Sequence, residues 1–101
     1  MEKNLRAELE INNVSTELNP FVEEFLTRTV VGAVSCLKGA EDIGNLELYL
    51  EQKDAKLVIN GNEIPLTPFP REIIANTIIG LVSSLKGVGK IDNLKINVKA
   101  R

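Results

Sequence analysis

LTPFPREIIANTIIGLVSSLKG, residues 66–87, is the stretch that decides the fold, because a variant of it, LNPFVEEFLTRTVVGAVSCLKG, occurs at residues 18–39. Both stretches occupy the same place in a longer repeat. Residues 5–52 aligned with residues 53–100 give 18 identical pairs at a constant offset of 48, whereas unrelated sequences of this length give about three. The alignment predicts one supersecondary unit that occurs twice.

Each copy of this stretch carries the signals of a helix at both ends. Asn19 and Thr67 can accept a hydrogen bond from a free amide of the first turn, and a proline follows each of them, where its missing N–H costs nothing. At the other end a lysine precedes a glycine, which stops a helix in the left-handed conformation. These signals predict helices at about residues 20–38 and 68–86.

Alternating apolar and polar residues predict strands with one face in water. Asn60-Gly61 is a strong two-residue hairpin signal, and residues 12–13 hold the equivalent place in the first copy. In such a hairpin Ile59 pairs with Asn62, which keeps the apolar side chains of both strands on one face. The alternation covers residues 5–11, 14–18, 46–50, 55–59, 62–66 and 94–98.

The order of these elements predicts an α+β fold built from two tandem ββαβ repeats, residues 5–52 and 53–100, within a single domain of residues 1–101. We expect pseudo-two-fold symmetry, with the two helices packed on one face of a shared, mainly antiparallel sheet. The strands joined across each helix should run parallel, as in a right-handed crossover. No functional motif of a known family accompanies this pattern.

The apolar surface of both helices is wider than one contact with a sheet requires. In the first helix, Phe21 and Phe25 lie beside the stripe that contains Leu26 and Val30. Phe21 and Phe69 hold the same place in the two copies, directly after the proline, and are interpreted as core anchors. The excess width predicts that the helices pack on each other, on a partner chain, or on both.

Gly32 and Gly80 occupy equivalent positions in the middle of the two helices, where glycine costs up to about 1 kcal/mol relative to alanine. Together with Thr29 and Thr77 they form stripes of small residues, which predict a close approach of two helices. On this hypothesis the substitution Gly80→Leu overpacks the contact and destabilises the protein by about 2 kcal/mol or more. The alternative is that duplication alone explains both glycines.

Composition excludes several classes of site. The 101 residues contain no histidine and one cysteine, Cys36, so the chain has neither a Cys–His nucleophile nor a zinc site built from Cys and His. Cys36 is interpreted as a small core residue, and a lone cysteine without a signal peptide favours the cytoplasm. No apolar run is long enough to cross a membrane, and no cofactor or metal is predicted.

Serine catalysis is not predicted, because Ser35, Ser83 and Ser84 fall inside helices instead of on a strained turn. The glycine-rich segment 86–90 follows a helix, whereas a phosphate loop precedes one. The carboxylates of the strands alternate outward and are explained by a solvated sheet face. The polar residues Arg28 and Asn76, within apolar helices, could line a ligand pocket. On balance the sequence favours a protein that is not an enzyme.

The two halves of the chain differ in charge, with a net charge of −6 for residues 1–52 and +4 for residues 53–101. Our first hypothesis is a non-catalytic interaction or assembly module that associates with itself or with another protein, aided by this opposite charge. A second is a ligand-binding protein or enzyme with a pocket between helices and sheet. A third is weak nucleic-acid binding through Lys90, Lys95, Lys99 and Arg101, which the overall net charge of −2 disfavours.

Overall fold

The computed structural model describes residues 5–37, 42–51 and 54–100 and shows an α+β fold, with two helices and a six-stranded sheet. In chain order the elements are β1 (Leu5–Ile11), β2 (Val14–Thr16), α1 (Pro20–Val34), β3 (Asn45–Glu51), β4 (Asp54–Ile59), β5 (Asn62–Ile64), α2 (Pro68–Ser83) and β6 (Asn93–Ala100).

The strands lie in the order β2-β1-β6-β3-β4-β5, so the last strand of the chain is in the middle of the sheet. Every pairing among the described strands is antiparallel. The predicted hairpin register is confirmed, because Ile59 pairs with Asn62 and Leu57 with Ile64. The ladder ends at Ile64, so the return strand is shorter than the alternation of its sequence indicates.

The prediction that the strands joined across each helix run parallel is wrong. The connection through α1 leads from β2 to β3, and these two strands are separated by β1 and β6. Because the direction reverses at each of the three antiparallel steps, β2 and β3 run in opposite directions. The same count applies to β5 and β6, which α2 connects.

Both helices begin where the sequence predicts, but only one of the two cap side chains forms the expected bond. The side chain of Asn19 accepts a hydrogen bond of 2.9 Å from the amide of Val22. Thr67 has the extended backbone of an N-cap residue but no capping bond from its side chain. At α2 the proline and the carbonyl of Thr67, which accepts from the amide of Arg71, therefore define the start.

Both helices end earlier than predicted. The amides of Leu37 and Leu85 donate to carbonyls three residues back, at 2.9 and 3.0 Å, so each helix tightens into turns of 3₁₀ type after Val34 and Ser83. Both leucines remain packed against the core, which explains why the apolar pattern continues past the helix. Gly87 does have a positive φ of 83°, whereas its predicted counterpart, with the lysine before it, lies outside the described residues.

The core lies between the helices and one face of the sheet. Leu48 of β3 and Ile96 of β6 are fully buried and adjacent in register, and the helices cover them with side chains that include Leu26 and Ile78. Three residues predicted for the core are exposed. Phe21 and Phe69 are 73% and 74% exposed, and Cys36 is exposed as well, because the face of each helix that meets the sheet is narrower than its apolar surface.

The two hairpin turns hold the central strands through asparagine side chains. Asn12 Oδ1 accepts from the amides of Asp92 and Asn93 at 2.7 and 3.0 Å, and its Nδ2 donates to the carbonyl of Lys90. Asn60 Oδ1 likewise accepts from the amides of the two residues at 44–45, at 2.9 Å each, and its Nδ2 donates to the carbonyl at position 42. Each turn therefore fixes the start of a central strand.

Candidate functional site

The two helices lie side by side on the sheet without packing tightly on each other. α1 contacts mainly β1, α2 contacts mainly β4, and direct contact between the helices is slight. Because β1 and β4 are separated by two central strands, the helices leave a space between them on the side that faces away from the sheet. We call this space the helix groove.

The helix groove has a volume of about 610 Å³ and is predominantly apolar. Its walls come from the N-terminal half of α1 and from the C-terminal half of α2 with the turn that follows it. Its lining consists of Phe21, Val22, Phe25, Thr29, Thr77, Gly80, Leu81, Ser84 and Leu85. The predicted small residues Thr29 and Thr77 therefore do meet in one surface, although no second helix fills the space between them.

Phe21 and Phe25 form one wall of the helix groove, and we call this pair the aromatic ridge. Their ring centroids are 5.8 Å apart, and the side chains are 73% and 52% exposed. A second, smaller depression of about 300 Å³ on the other side of the same rings is lined by Glu24 and Arg28. The rings thus stand between two hollows, so much of their surface is open to a partner.

Two of the three hydroxyl groups that line the helix groove, those of Thr29 and Ser84, are hydrogen-bonded to carbonyls of the preceding helical turn. Thr29 Oγ1 donates to the carbonyl of Phe25 at 2.7 Å, and Ser84 Oγ donates to the carbonyl of Gly80 at 3.0 Å. Side chains that bond back to the preceding turn in this way need no external partner. The groove therefore presents a surface suited to an apolar group.

Gly32 and Gly80 do not mediate a close approach of the two helices within the chain. A Cβ atom added at either position meets no heavy atom within 4 Å, and both glycines are exposed. The predicted overpacking by Gly80→Leu therefore has no intrachain basis, because the helices rest on separate strands. Gly80 instead lies in the floor of the helix groove.

The residues predicted for a pocket between helices and sheet do not come together. Arg28 is exposed on α1, where its guanidinium lies 3.8 Å from the carboxylate of Glu24. Asn76 is exposed on α2. The space between the helices and the sheet is filled by the buried apolar core. The described residues therefore do not form an enclosed pocket lined by these two side chains.

The outer face of the sheet interleaves the charges of the two halves. β6 belongs to the basic half and lies between β1 and β3, which belong to the acidic half. Lys95 is therefore flanked by Glu10 and Tyr49, with its Nζ 5.5 Å from the centroid of the tyrosine ring. The opposite charges of the halves consequently do not form two separate faces, and the charge argument for ordered association loses its basis.

Of the residues predicted to bind nucleic acid, Lys90 and Lys95 have acidic neighbours, whereas Lys99 does not. Lys90 Nζ is 3.7 Å from the carboxylate of Asp92, and Lys99 pairs in register with Arg6 and Asn45. Arg101 lies outside the described residues. An open depression of about 730 Å³ on this face is lined by side chains of both signs around Tyr49, as is typical of a solvated sheet face.

The serine candidates and the side chains that could hold a metal ion can be located among the described residues. Groups of three or more His, Cys, Asp or Glu side chains placed to hold a metal ion are absent from that part of the chain. Ser83 ends α2, and Ser35 and Ser84 follow the two helices with their hydroxyls bonded to carbonyls four residues back. The hydroxyls of Ser35 and Ser84 are therefore already engaged by the preceding helical turn.

The exposure of the aromatic ridge is the feature that the sequence analysis missed. At 100° per residue, Phe21 lies about 140° from Leu26 around the axis of α1, and Phe25 lies about 100° from it. Leu26 is fully buried against the sheet, so the helical wheel itself separates the rings from the buried face. The sequence signal for this exposure was the apolar surface of α1, which is wider than a contact with the sheet requires.

Comparison of the chain with known proteins gives no relative from which a function could be transferred. No family model matches the chain, and neither the curated proteins nor the solved structures contain a significant match. Within the described residues, neither helix combines the length and the hydropathy that crossing a membrane requires.

Proposed function

We propose that the chain is a non-catalytic assembly module that associates with a second copy of itself through its helix layer. The observation that carries this proposal is the exposed apolar surface around the helix groove, with the aromatic ridge as its largest element. Isolated apolar side chains on a protein surface are common, whereas a groove walled by two adjacent exposed phenylalanines is typical of an interaction site.

The size of this surface supports a second copy as the occupant. Phe21, Phe25 and Phe69 are 73%, 52% and 74% exposed, which corresponds to about 400 Å² of aromatic surface on the two helices. Two copies together bring about 800 Å². With the half-exposed Ile73 and the groove lining of both copies, burial of the whole helix layer would reach the roughly 1,000 Å² that a specific interface needs.

A duplicated architecture belongs to the same proposal. We infer that residues 5–52 and 53–100 are two ββαβ units related by a pseudo-two-fold axis. In support, the strand order β2-β1-β6-β3-β4-β5 is symmetric. When β1, β2 and β3 are exchanged for β4, β5 and β6, the same order results, read from the other edge of the sheet. The bonds of Asn12 and Asn60 also recur at the constant offset of 48. Such symmetry would place Phe21 and Phe69 in equivalent positions on one helix layer.

The experiment is to measure the mass of the protein in solution, by light scattering and sedimentation, from low to high micromolar concentration at low salt. We expect a dimer for the unmodified chain and a monomer for the double variant Phe21→Ser/Phe25→Ser. Both rings are exposed, so the substitutions should not affect folding. At concentrations where the wild type is monomeric, we expect the variant to have the same circular dichroism spectrum and denaturation midpoint as the wild type.

Val14→Ser is the matched control. Val14 is 65% exposed but belongs to the edge strand β2 and does not line the helix groove. We expect this variant to dimerise like the wild type. A wild-type chain that remains monomeric at high micromolar concentration contradicts the proposal, and so does a Val14→Ser variant that loses association as fully as the ridge variant.

A further inference from the structure

The aromatic ridge and the helix groove lie side by side on the same face, and the ridge is one wall of the groove. A protrusion next to a hollow of suitable size is self-complementary. When two copies are related by a two-fold axis that passes between ridge and groove, the ridge of each copy faces the groove of the other. Such a contact uses both surfaces at once and closes at two copies.

The helix groove has room for the ridge of a partner. Its volume is about 610 Å³, whereas a cavity of about 150 Å³ accepts a benzene ring. Two phenyl rings of a partner therefore fit into it. The floor at Gly80 is open, since no heavy atom lies within 4 Å of an added Cβ, and rings seated there would approach the helix backbone closely.

Two of the three hydroxyl groups of the groove do not oppose this arrangement. Burying an unpaired hydroxyl would be costly, but the hydroxyls of Thr29 and Ser84 already donate to carbonyls of their own helices. Aromatic rings that cover them leave no donor without an acceptor. An apolar ridge is thus a better occupant of this groove than a polar ligand.

We propose that the protein forms a closed dimer in which the aromatic ridge of each copy is seated in the helix groove of the other, against Gly80. This inference rests on the proposed self-association and adds its register and its stoichiometry. It also gives the exposed mid-helix Gly80 an intermolecular role: a side chain at this position would occupy the space that the partner's rings take.

The test is Gly80→Leu, with dimer dissociation measured by sedimentation. Within one chain a Cβ atom at this position meets no heavy atom within 4 Å, and we expect the variant to fold with an unchanged circular dichroism spectrum. In the proposed dimer the leucine fills the floor of the groove, and we expect the dissociation constant to rise at least 30-fold, roughly the loss of one interface hot spot.

Gly89→Leu is the matched control, because a Cβ at Gly89 also meets no heavy atom within 4 Å and Gly89 does not line the groove. We expect wild-type dimerisation for this variant. If the wild type dimerises and the Phe21→Ser/Phe25→Ser variant does not, but Gly80→Leu dimerises normally, the proposed register is overturned while self-association stands. Growth beyond two copies overturns closure, and a monomeric wild type overturns both proposals.

Discussion

Asn12 and Asn60, 48 positions apart in the chain, make the same four hydrogen bonds to the segments that lead into β6 and β3. Asn12 belongs to the first half and holds residues of the second, whereas Asn60 belongs to the second half and holds residues of the first. Both have positive φ values, 52° and 51°, which asparagine tolerates better than most residues. The turns thus join the halves reciprocally.

Replacing Asn60 with alanine should destabilise the protein by about 3 kcal/mol, because three side-chain hydrogen bonds of about 1 kcal/mol each are lost and alanine disfavours a positive φ. Urea denaturation measures the change. Asn62→Ala is the control, since the side chain of Asn62 donates one long bond, of 3.4 Å, to the carbonyl of Asn60, and the substitution should change stability by less than about 0.5 kcal/mol. Equal effects of the two substitutions would contradict the role assigned to Asn60.

The second position of the two hairpin turns is Asn13 in one turn and Gly61 in the other, and the two residues can be exchanged. Asn13 and Gly61 both have positive φ, 67° and 82°, and glycine adopts this conformation without steric cost. We therefore expect Asn13→Gly to stabilise the protein by about 0.5 kcal/mol and Gly61→Asn to destabilise it by a similar amount. Thermal denaturation of the two variants and of the double exchange checks this. A loss of stability in Asn13→Gly would show that the asparagine side chain has a role of its own.

Gly80→Ala should stabilise the monomer by about 0.5–1 kcal/mol, because the position is helical and exposed and alanine has the higher helix propensity. The measurement belongs in the Phe21→Ser/Phe25→Ser background, so that association does not contribute. Gly44→Ala is the contrasting variant, because its added Cβ lies 3.3 Å from Asn60 Oδ1 and should disturb the turn. A destabilising Gly80→Ala in the monomer would restore the intrachain packing role that the sequence suggested.

Glu23 ties α1 to β1, since its Oε2 accepts from Arg6 Nε at 2.9 Å and from the amide of Ala7 at 3.1 Å. Glu23→Ala removes the acceptor of a partly buried amide and should cost about 1–3 kcal/mol. Glu24→Ala is the matched control, because Glu24 forms only an exposed ion pair of 3.8 Å with Arg28, which contributes about 0.5 kcal/mol or less. Chemical denaturation separates the two, and equal losses would count against the tie.

The sequence predicted each strand and each helix start because these depend on local signals. Alternation placed β1 and β3, and the proline after Asn19 or Thr67 placed the first residue of each helix. The prediction that the strands joined across each helix run parallel was wrong. Which strands are adjacent in the sheet depends on where β6 inserts, and no local signal encodes that. The helix ends failed because the apolar pattern continues through the 3₁₀ turns at Leu37 and Leu85.

The candidate site was predicted only in part. The sequence identified excess apolar width and the pair Thr29 and Thr77, which do line one groove. It assigned Phe21 to the core, because a helical pattern shows which residues share a face but not how wide the contact with the sheet is. Arg28 and Asn76 were chosen for their polarity inside apolar helices, and exposure on the helix surface accounts for both.

The central position of β6 also bears on synthesis. In a chain that lacks residues 93–100, the ribbons β2-β1 and β3-β4-β5 can form, but no strand pairs with both of them. β1 and β3, the two strands that flank β6 in the complete sheet, have seven residues each. Without β6, their unpaired backbone edges are longer than the three-residue edge strands of the complete sheet. A translation product that ends before residue 93 would thus expose two long unpaired strand edges, which favour aggregation.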